Sequence, residues 1–426
     1  MKPTRPLLAA FLLAISGSSS SSAAESQPRP AAHTANPCGI EQPSLWGQAT
    51  IPSQFRFAGE RVGGLSGIDY RRRQKDFLLI SDDRGAHGGA RLYRALLSFG
   101  QEHRLDVRFK KATVLRQADG SRFAKEAEIG TGTDAEALRA AVNNRIFWAS
   151  EAKGAVSQGP EIFEARLPAG ISVPLALPAY LTSSGDRSRG PRDNRSFEGL
   201  SVDADGSLWV GLEAPLLEDG VPPSLASGSW TRIVRLGSVG QSDREYLYPL
   251  EPIARQLPGH LADNGLSELL VLPGPTFLVL ERSGSQQLDG RFDYLTRIFC
   301  AYPGRERGAG ETISLDKQLV VELNRLGSFD NANFEGMTFG PRLPDGRRSL
   351  ILVADNDFRD ERPNLIVALA VPQDRRKASP LRPEVLKIRE TGHARRAVRP
   401  VRAETSCGTA RTGQRHRLPA RAKCPT

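Results

Sequence analysis

The chain has 426 residues and a formal net charge of +10, from 58 Lys and Arg against 48 Asp and Glu. Its four cysteines, Cys38, Cys300, Cys407 and Cys424, include no C-x-x-C spacing, which argues against a thiolate metal site. Apart from one short run near the N-terminus, no segment is apolar enough to cross a bilayer.

Residues 1–24 read as a cleaved export signal. Lys2 and Arg5 form a positive start, Leu7 to Ile15 a short apolar core, and Ser22-Ala23-Ala24 a small-residue cleavage site. Cys38 lies too far beyond that core for a lipoprotein anchor. The mature protein is therefore expected in the periplasm or secreted. Residues 25–50 read as a linker. The four cysteines allow three pairings; Cys38 with Cys300 would staple the N-terminal segment to the body, and unpaired thiols are the alternative.

From residue 51 to 372 one pattern recurs. In N-R-S-F-E-G-L-S-V-D-A-D-G-S-L-W-V-G-L-E-A-P, Asn194 to Pro215, two alternating apolar runs flank the turn Asp203 to Gly206, the signature of a hairpin. The same layout starts at Gly64, Asp134, Gly265 and Asn333. Ser66, Glu136, Glu198, Ser267 and Glu335 are the equivalent positions, about 62 to 70 residues apart. A third apolar run follows each hairpin and a fourth follows four of them. Four short strands per repeat predict an all-β fold: a β-propeller of five four-stranded blades, with six as the alternative. The spare segment Ser53 to Gly59 is expected to complete the last blade, so that an N-terminal strand closes the ring.

Residues 373–426 differ in character. They hold 15 Lys and Arg against 4 Asp and Glu, so the excess positive charge belongs to this tail. Few large apolar residues accompany it, which predicts a disordered basic tail. Contact with anionic surfaces and a solvated tail with no partner are both open; no aromatics interleave with its arginines, so nucleic acid is not an expected partner.

In a propeller the start of strand one and the end of strand two meet beside the central channel. That gathers Ser66 with Asp82 and Asp83, Glu136 with Glu151, Glu198 with Glu213, Ser267 with Glu281, and Glu335 with Asp355 and Asp357. So many carboxylates need raised pKa values, basic partners or cations. Arg84, Lys153, Arg195 and Arg282 lie close to them in sequence, and Ca²⁺, which takes oxygen ligands, suits the remainder. Asp82, Glu136, Glu151, Glu213, Glu281, Glu335 and Asp355 are the candidate metal ligands. Asp82, Asp83, Arg84 and Glu198 are the candidate catalytic residues, and Lys153, Arg195, Arg282 and His87 the candidate substrate contacts. A residue repeated in every blade equally suits a scaffold, so the residues that break the symmetry, such as Asp82-Asp83-Arg84 and His87, weigh more. A metal-independent esterase using Ser66 and His87 is poorly supported, because G-L-S-G lacks the closing Gly of a nucleophile elbow and precedes a strand.

Several short motifs occur in order: G-G-L-S-G-I-D-Y at Gly63, S-D-D-R at Ser81, F-E-G-L at Phe197, L-E-A-P at Leu212, V-L-E-R-S at Val279, F-E-G-M at Phe334 and G-P-R-L at Gly340. In these the chain resembles the phytase-like family, described by esterase-like activity of phytase and found in exported bacterial proteins, over roughly residues 63–371. The family's name suggests hydrolysis of a small-molecule phosphate or carboxylic ester, and the resemblance implies the propeller fold, export and a metal-capable acidic mouth, where Ca²⁺ would be the cofactor; the chain is expected to be a monomer. The rival expectation is a non-catalytic propeller that binds a sugar or envelope ligand through the same face.

Overall fold

Each repeat begins with a hairpin whose turn chemistry the sequence displays. Phe197–Val202 pairs antiparallel with Leu208–Leu212 across the Asp203–Gly206 turn, where Gly206 takes a φ of +88° that favours glycine. The computed structural model describes residues 36–123, 133–151, 160–184, 186, 188–237, 241–304 and 313–372. The chain divides into two units, Met1–Ala378 and Ser379–Thr426, and the second lies wholly outside the described residues. The signal segment, the basic tail, Lys153, Cys407 and Cys424 also lie outside them.

The described chain is all-β, laid out as antiparallel meanders. The first contains Leu65–Arg71, Asp76–Ser81, Arg91–Phe99 and Leu105–Val114. The second contains Ala135–Ala140, Arg145–Ser150, Glu161–Arg166 and Ile171–Pro174. The third adds Ser229–Leu236 and Ser242–Leu250 to its hairpin. The fourth contains Ala262–Leu272, Thr276–Gln286, Phe292–Pro303 and Ile313–Glu322. The outermost strands of the third and fourth also touch in a short parallel pairing of Tyr246–Leu247 with Ile313–Ser314. The last contains Asn333–Arg342, Arg348–Asp355 and Asn364–Val371.

An N-terminal strand does complete the last meander, but it is not the one expected. Ser44–Ile51, inside the stretch read as linker, runs antiparallel to Asn364–Val371. It buries Trp46 and Ile51, and Trp46 stacks on His103 at 4.6 Å. Ser53 to Gly59 cannot play this part, because Ala58 and Gly59 both have positive φ and fold Arg56–Phe57 back on Glu60–Arg61 as a small hairpin. Phe55 and Phe57 instead pack against Phe109.

Neighbouring meanders share their apolar faces, and the sharing goes round in a circle. Leu78, Ile80 and Leu92 of the first pack with Leu138, Ile146 and Trp148 of the second. Ala137 and Phe147 of the second meet Leu200 and Val210 of the third. Trp209 and Tyr246 of the third meet Leu269 and Phe277 of the fourth. Leu278 and Ile298 of the fourth meet Met337 and Leu352 of the last. Ile351 and Val353 of the last meet Ile68 and Leu79 of the first. A closed cycle of sheet-on-sheet contacts with antiparallel meanders is a propeller.

The innermost strands approach closely, which explains the glycine of the E-G-M motif. A Cβ at Gly336 would lie 2.9 Å from the Cα of Gly67 in the first meander. Beneath the mouth a buried ion pair ties all the innermost strands together. Arg139 Nη2 lies 2.6 Å from Glu268 Oε2. The guanidinium donates to the carbonyls of Ile68, Leu138, Leu269 and Met337, and Glu268 accepts from the amides of Leu200 and Leu269. A disulfide joins Cys38 to Cys300.

Candidate functional site

Every innermost strand carries a register shift at the same place: Leu65/Gly67, Ala135/Ala137, Phe197/Gly199, Leu266/Glu268 and Phe334/Gly336. The extra residue in each is Ser66, Glu136, Glu198, Ser267 or Glu335. A bulge leaves its residue outside the ladder and re-aims its side chain. All five are buried. The repeating S/E position is thus a ring of bulged residues.

A second ring follows from the strand that returns. Just beyond the last hairpin pairs, Asp82 bonds Gly64, Glu151 bonds Asp134, and Glu213 bonds Ser196 through backbone amide and carbonyl. Asn333 pairs with Asp355, and Gly265 with Arg282. The equivalent of Asp82, Glu151, Glu213 and Asp355 in the fourth repeat is therefore Arg282 and not Glu281. Glu281 pairs with Leu266, one residue earlier, and one residue of parity sends a strand side chain to the other face. It lies between meanders instead, taking bonds from Tyr248 Oη, Asn264 Nδ2, the Glu251 amide and Lys317 Nζ at 2.8 Å. Its lone pairs are engaged, which removes it from the candidate metal ligands.

The two rings bring Asp82, Glu136, Glu151, Glu198, Glu213, Glu335 and Asp355 within electrostatic reach of one another, and the Arg282 guanidinium stands among Glu198, Glu213 and Glu335. Arg282 Nη1 reaches Glu335 Oε1 at 2.6 Å and also Asn333 Oδ1; Nη2 lies 3.5 Å from Glu213 Oε1, and the group sits over the Tyr294 ring. Asn333 Nδ2 donates to Glu335 at 2.7 Å. Arg84 is held by Asp134 at 2.5 Å. Two groups of three carboxylates lie close enough to share an ion: Asp82, Asp134 and Glu136, and Glu151, Glu198 and Glu213. Among the described residues Asp82 Oδ1, Asp134 Oδ1, Glu198 Oε2 and Asp355 Oδ1 are buried without a hydrogen-bond donor.

Electrostatics follow from this crowding. Burial, then the charge of Asp134, pushes both Asp82 and Glu136 well above the usual carboxylate range. Burial followed by Glu213 does the same to Glu151, and burial followed by Glu151 to Glu198. Burial and Asp82 raise Asp355. Glu213 stops at about 7, because Arg282 offsets part of the burial cost. Glu335 is raised by burial and likewise moderated by Arg282.

The remaining sequence-derived residues scatter. Asp83 turns away from the mouth into the first meander. It accepts from the amides of Gly85, His87 and Gly89 and from Arg91 Nη1 at 2.8 Å. Although burial opposes ionisation, these bonds hold its pKa below normal. It organises a loop and touches nothing in the mouth. His87 stacks on Phe358 at 4.4 Å, on the outer side of the mouth. Arg195 is partly exposed at the rim, 3.5 Å from Asp263. Sequence reasoning missed Asp134 as a member of the cluster and the Arg139–Glu268 pair below it. The displaced glutamate after Ser267, where three repeats have glycine, was the one available sign of the latter.

The fold and site together define a propeller with a buried acidic mouth. Residues 60–358 match the model of the phytase-like family, described as esterase-like activity of phytase, and the chain belongs to that family. No curated protein sequence is significantly similar to it. Among solved structures it is similar to a thermostable family-43 glycoside hydrolase (9% identity, 73% of this chain and 90% of that one, TM-score 0.40). It is also similar to an α-L-arabinanase from Cellvibrio cellulosa (8%, 76% and 92%, 0.37) and to the mannose phosphorylase MPT-4 from Leishmania mexicana (10%, 78% and 85%, 0.34). At these levels the likenesses carry no argument about activity.

Proposed function

We propose that the protein is an exported five-bladed propeller that binds a divalent cation of the Ca²⁺ class at its mouth and hydrolyses a small-molecule phosphate or carboxylic ester there. The observation that carries the reading is the convergence of carboxylates in two groups of three, in which Asp82, Asp134 and Glu198 each keep a buried oxygen without a donor. An all-oxygen, anionic donor set suits a hard cation. Family membership supports the hydrolytic part, since esterase-like activity is in the family's description.

Asp82, Asp134 and Glu136, and Glu151, Glu198 and Glu213, would hold the ion. When bound, such an ion polarises an ester oxygen and acidifies water. The chain's own groups supply the rest. Arg195 stands at the rim to meet an anionic substrate. Before an ion binds, Glu213 sits at about 7, so of the second group it gives up its proton most readily to admit one. Arg282 fixes Glu213 and Glu335 in place. The Cys38–Cys300 disulfide supports export, because such bridges persist in oxidising compartments.

The test is turnover by purified mature protein on inositol phosphates and p-nitrophenyl esters, with Ca²⁺ and with chelator. Cation-dependent turnover is the expected result. A folded protein that binds the cation and turns over none of these substrates would be a binding propeller, and the hydrolytic reading would fall.

A further inference from the structure

Outside the mouth, the loop after the second strand of the first meander walls a cavity of about 380 Å³, lined among others by Arg56, Glu60, Arg61, His87, Arg122 and Phe123. Three guanidiniums and one carboxylate give the lining a positive balance, opposite to the mouth beside it. Arg56 donates to the Gly59 carbonyl at 3.1 Å and Arg122 to the Gly88 carbonyl at 3.3 Å. Among the described residues neither has a carboxylate partner. Arg61 is paired with Asp360 at 2.8 Å, but that aspartate is 75% exposed, so solvent screens the pair.

The wall is built and not incidental. Asp83 gathers the amides of Gly85, His87 and Gly89, while Gly85, Gly88 and Gly89 take positive φ values of 105°, 113° and 86°. The His87 ring is held flat against Phe358. Phe358, itself at a φ of +51°, is wedged where a Cβ on Gly63 or Gly64 would collide with it. A Cβ on Gly64 would meet both Asp82 and Phe358, and His87 on the other side of Phe358 lines the cavity, so this stack stands between the acidic mouth and the basic cavity.

We propose that the cavity is a second ligand site, which takes a phosphate-class dianion through Arg56, Arg61 and Arg122. Guanidiniums recognise such oxyanions in planar, bidentate fashion, and unpaired ones do so without first breaking an ion pair. The site does not depend on hydrolysis at the mouth, and chelator separates the two, since anion binding here needs no cation.

Calorimetric titration of the mature protein with inorganic phosphate, in chelator, tests it. The wild type should bind saturably at millimolar phosphate. Arg56→Gln with Arg122→Gln should bind at least about tenfold more weakly at unchanged melting temperature, because both side chains are exposed. Glu60→Gln, which removes the one lining carboxylate, should strengthen binding. Absence of saturable binding by the wild type, equal affinity in the double variant, or weaker binding in Glu60→Gln would each overturn the proposal.

Discussion

Arg139 and Glu268 form a buried ion pair, 2.6 Å apart, that between them hydrogen-bonds a backbone group from the innermost strand of every meander. Removing one partner strands an unpaired charge where both side chains are buried. Arg139→Met or Glu268→Leu should therefore each lower unfolding free energy by about 3–5 kcal/mol. Arg139→Met with Glu268→Leu should recover part of that loss. Denaturant melts of the three variants measure the coupling; additive losses would mean the two residues act separately.

The mouth makes stability depend on pH in a definite direction. Asp82, Glu136, Glu151, Glu198 and Asp355 have folded pKa values raised above their unfolded ones, and Glu213 rises to about 7. Between the unfolded and folded values the native state holds the extra protons, so its stability falls as pH rises. In chelator the melting temperature should drop by at least about 5 °C from about pH 5 to about pH 8. Ca²⁺ should restore more of it at the higher pH. A melting temperature flat over this range would contradict the crowding described here.

Asp82 and Asp83 are adjacent and should respond oppositely. Asp82→Asn removes a charge that burial and Asp134 disfavour, so without a cation it should leave stability equal or higher while weakening cation affinity at least about tenfold. Asp83→Asn breaks a charge-assisted bond to Arg91 and the loop's amide cradle, and should cost about 1.5–3 kcal/mol. Paired thermal melts and cation titrations of the two variants decide this; equal effects would put both side chains in one environment.

The Cys38–Cys300 bridge closes a sequence separation of 262 residues. Cys38→Ser with Cys300→Ser should cost about 2–5 kcal/mol, seen as a lower denaturation midpoint. No loss would mean the N-terminal segment is held by its strand alone.

Much of this architecture was legible because a hairpin of two short apolar runs, repeated at near-constant spacing, leaves few other folds. The S/E ring was legible too, since a repeated polar residue inside an apolar strand needs a reason, and the bulge supplies it. Ligand parity was not. Glu281 and Arg282 are one residue apart, and the register that chooses between them is set by a bulge that sequence does not mark. The closing strand was misplaced for a similar reason. Phe55 and Phe57 alternate as a strand should, but the positive φ at Ala58 turns them back, while Ser44–Ile51 offers few apolar residues to announce it. Asp83 looked like a mouth residue from its place beside Asp82, and its loop bonds became visible only in three dimensions.

Calcium titration of the mature protein in two buffers of different ionisation heat tests the central claim most directly. Carboxyls held protonated by one another must release protons when a cation takes their place. The account predicts saturable binding with proton release at about pH 6, both reduced in Glu198→Gln. Binding without proton release, or no binding by a folded protein, would contradict it.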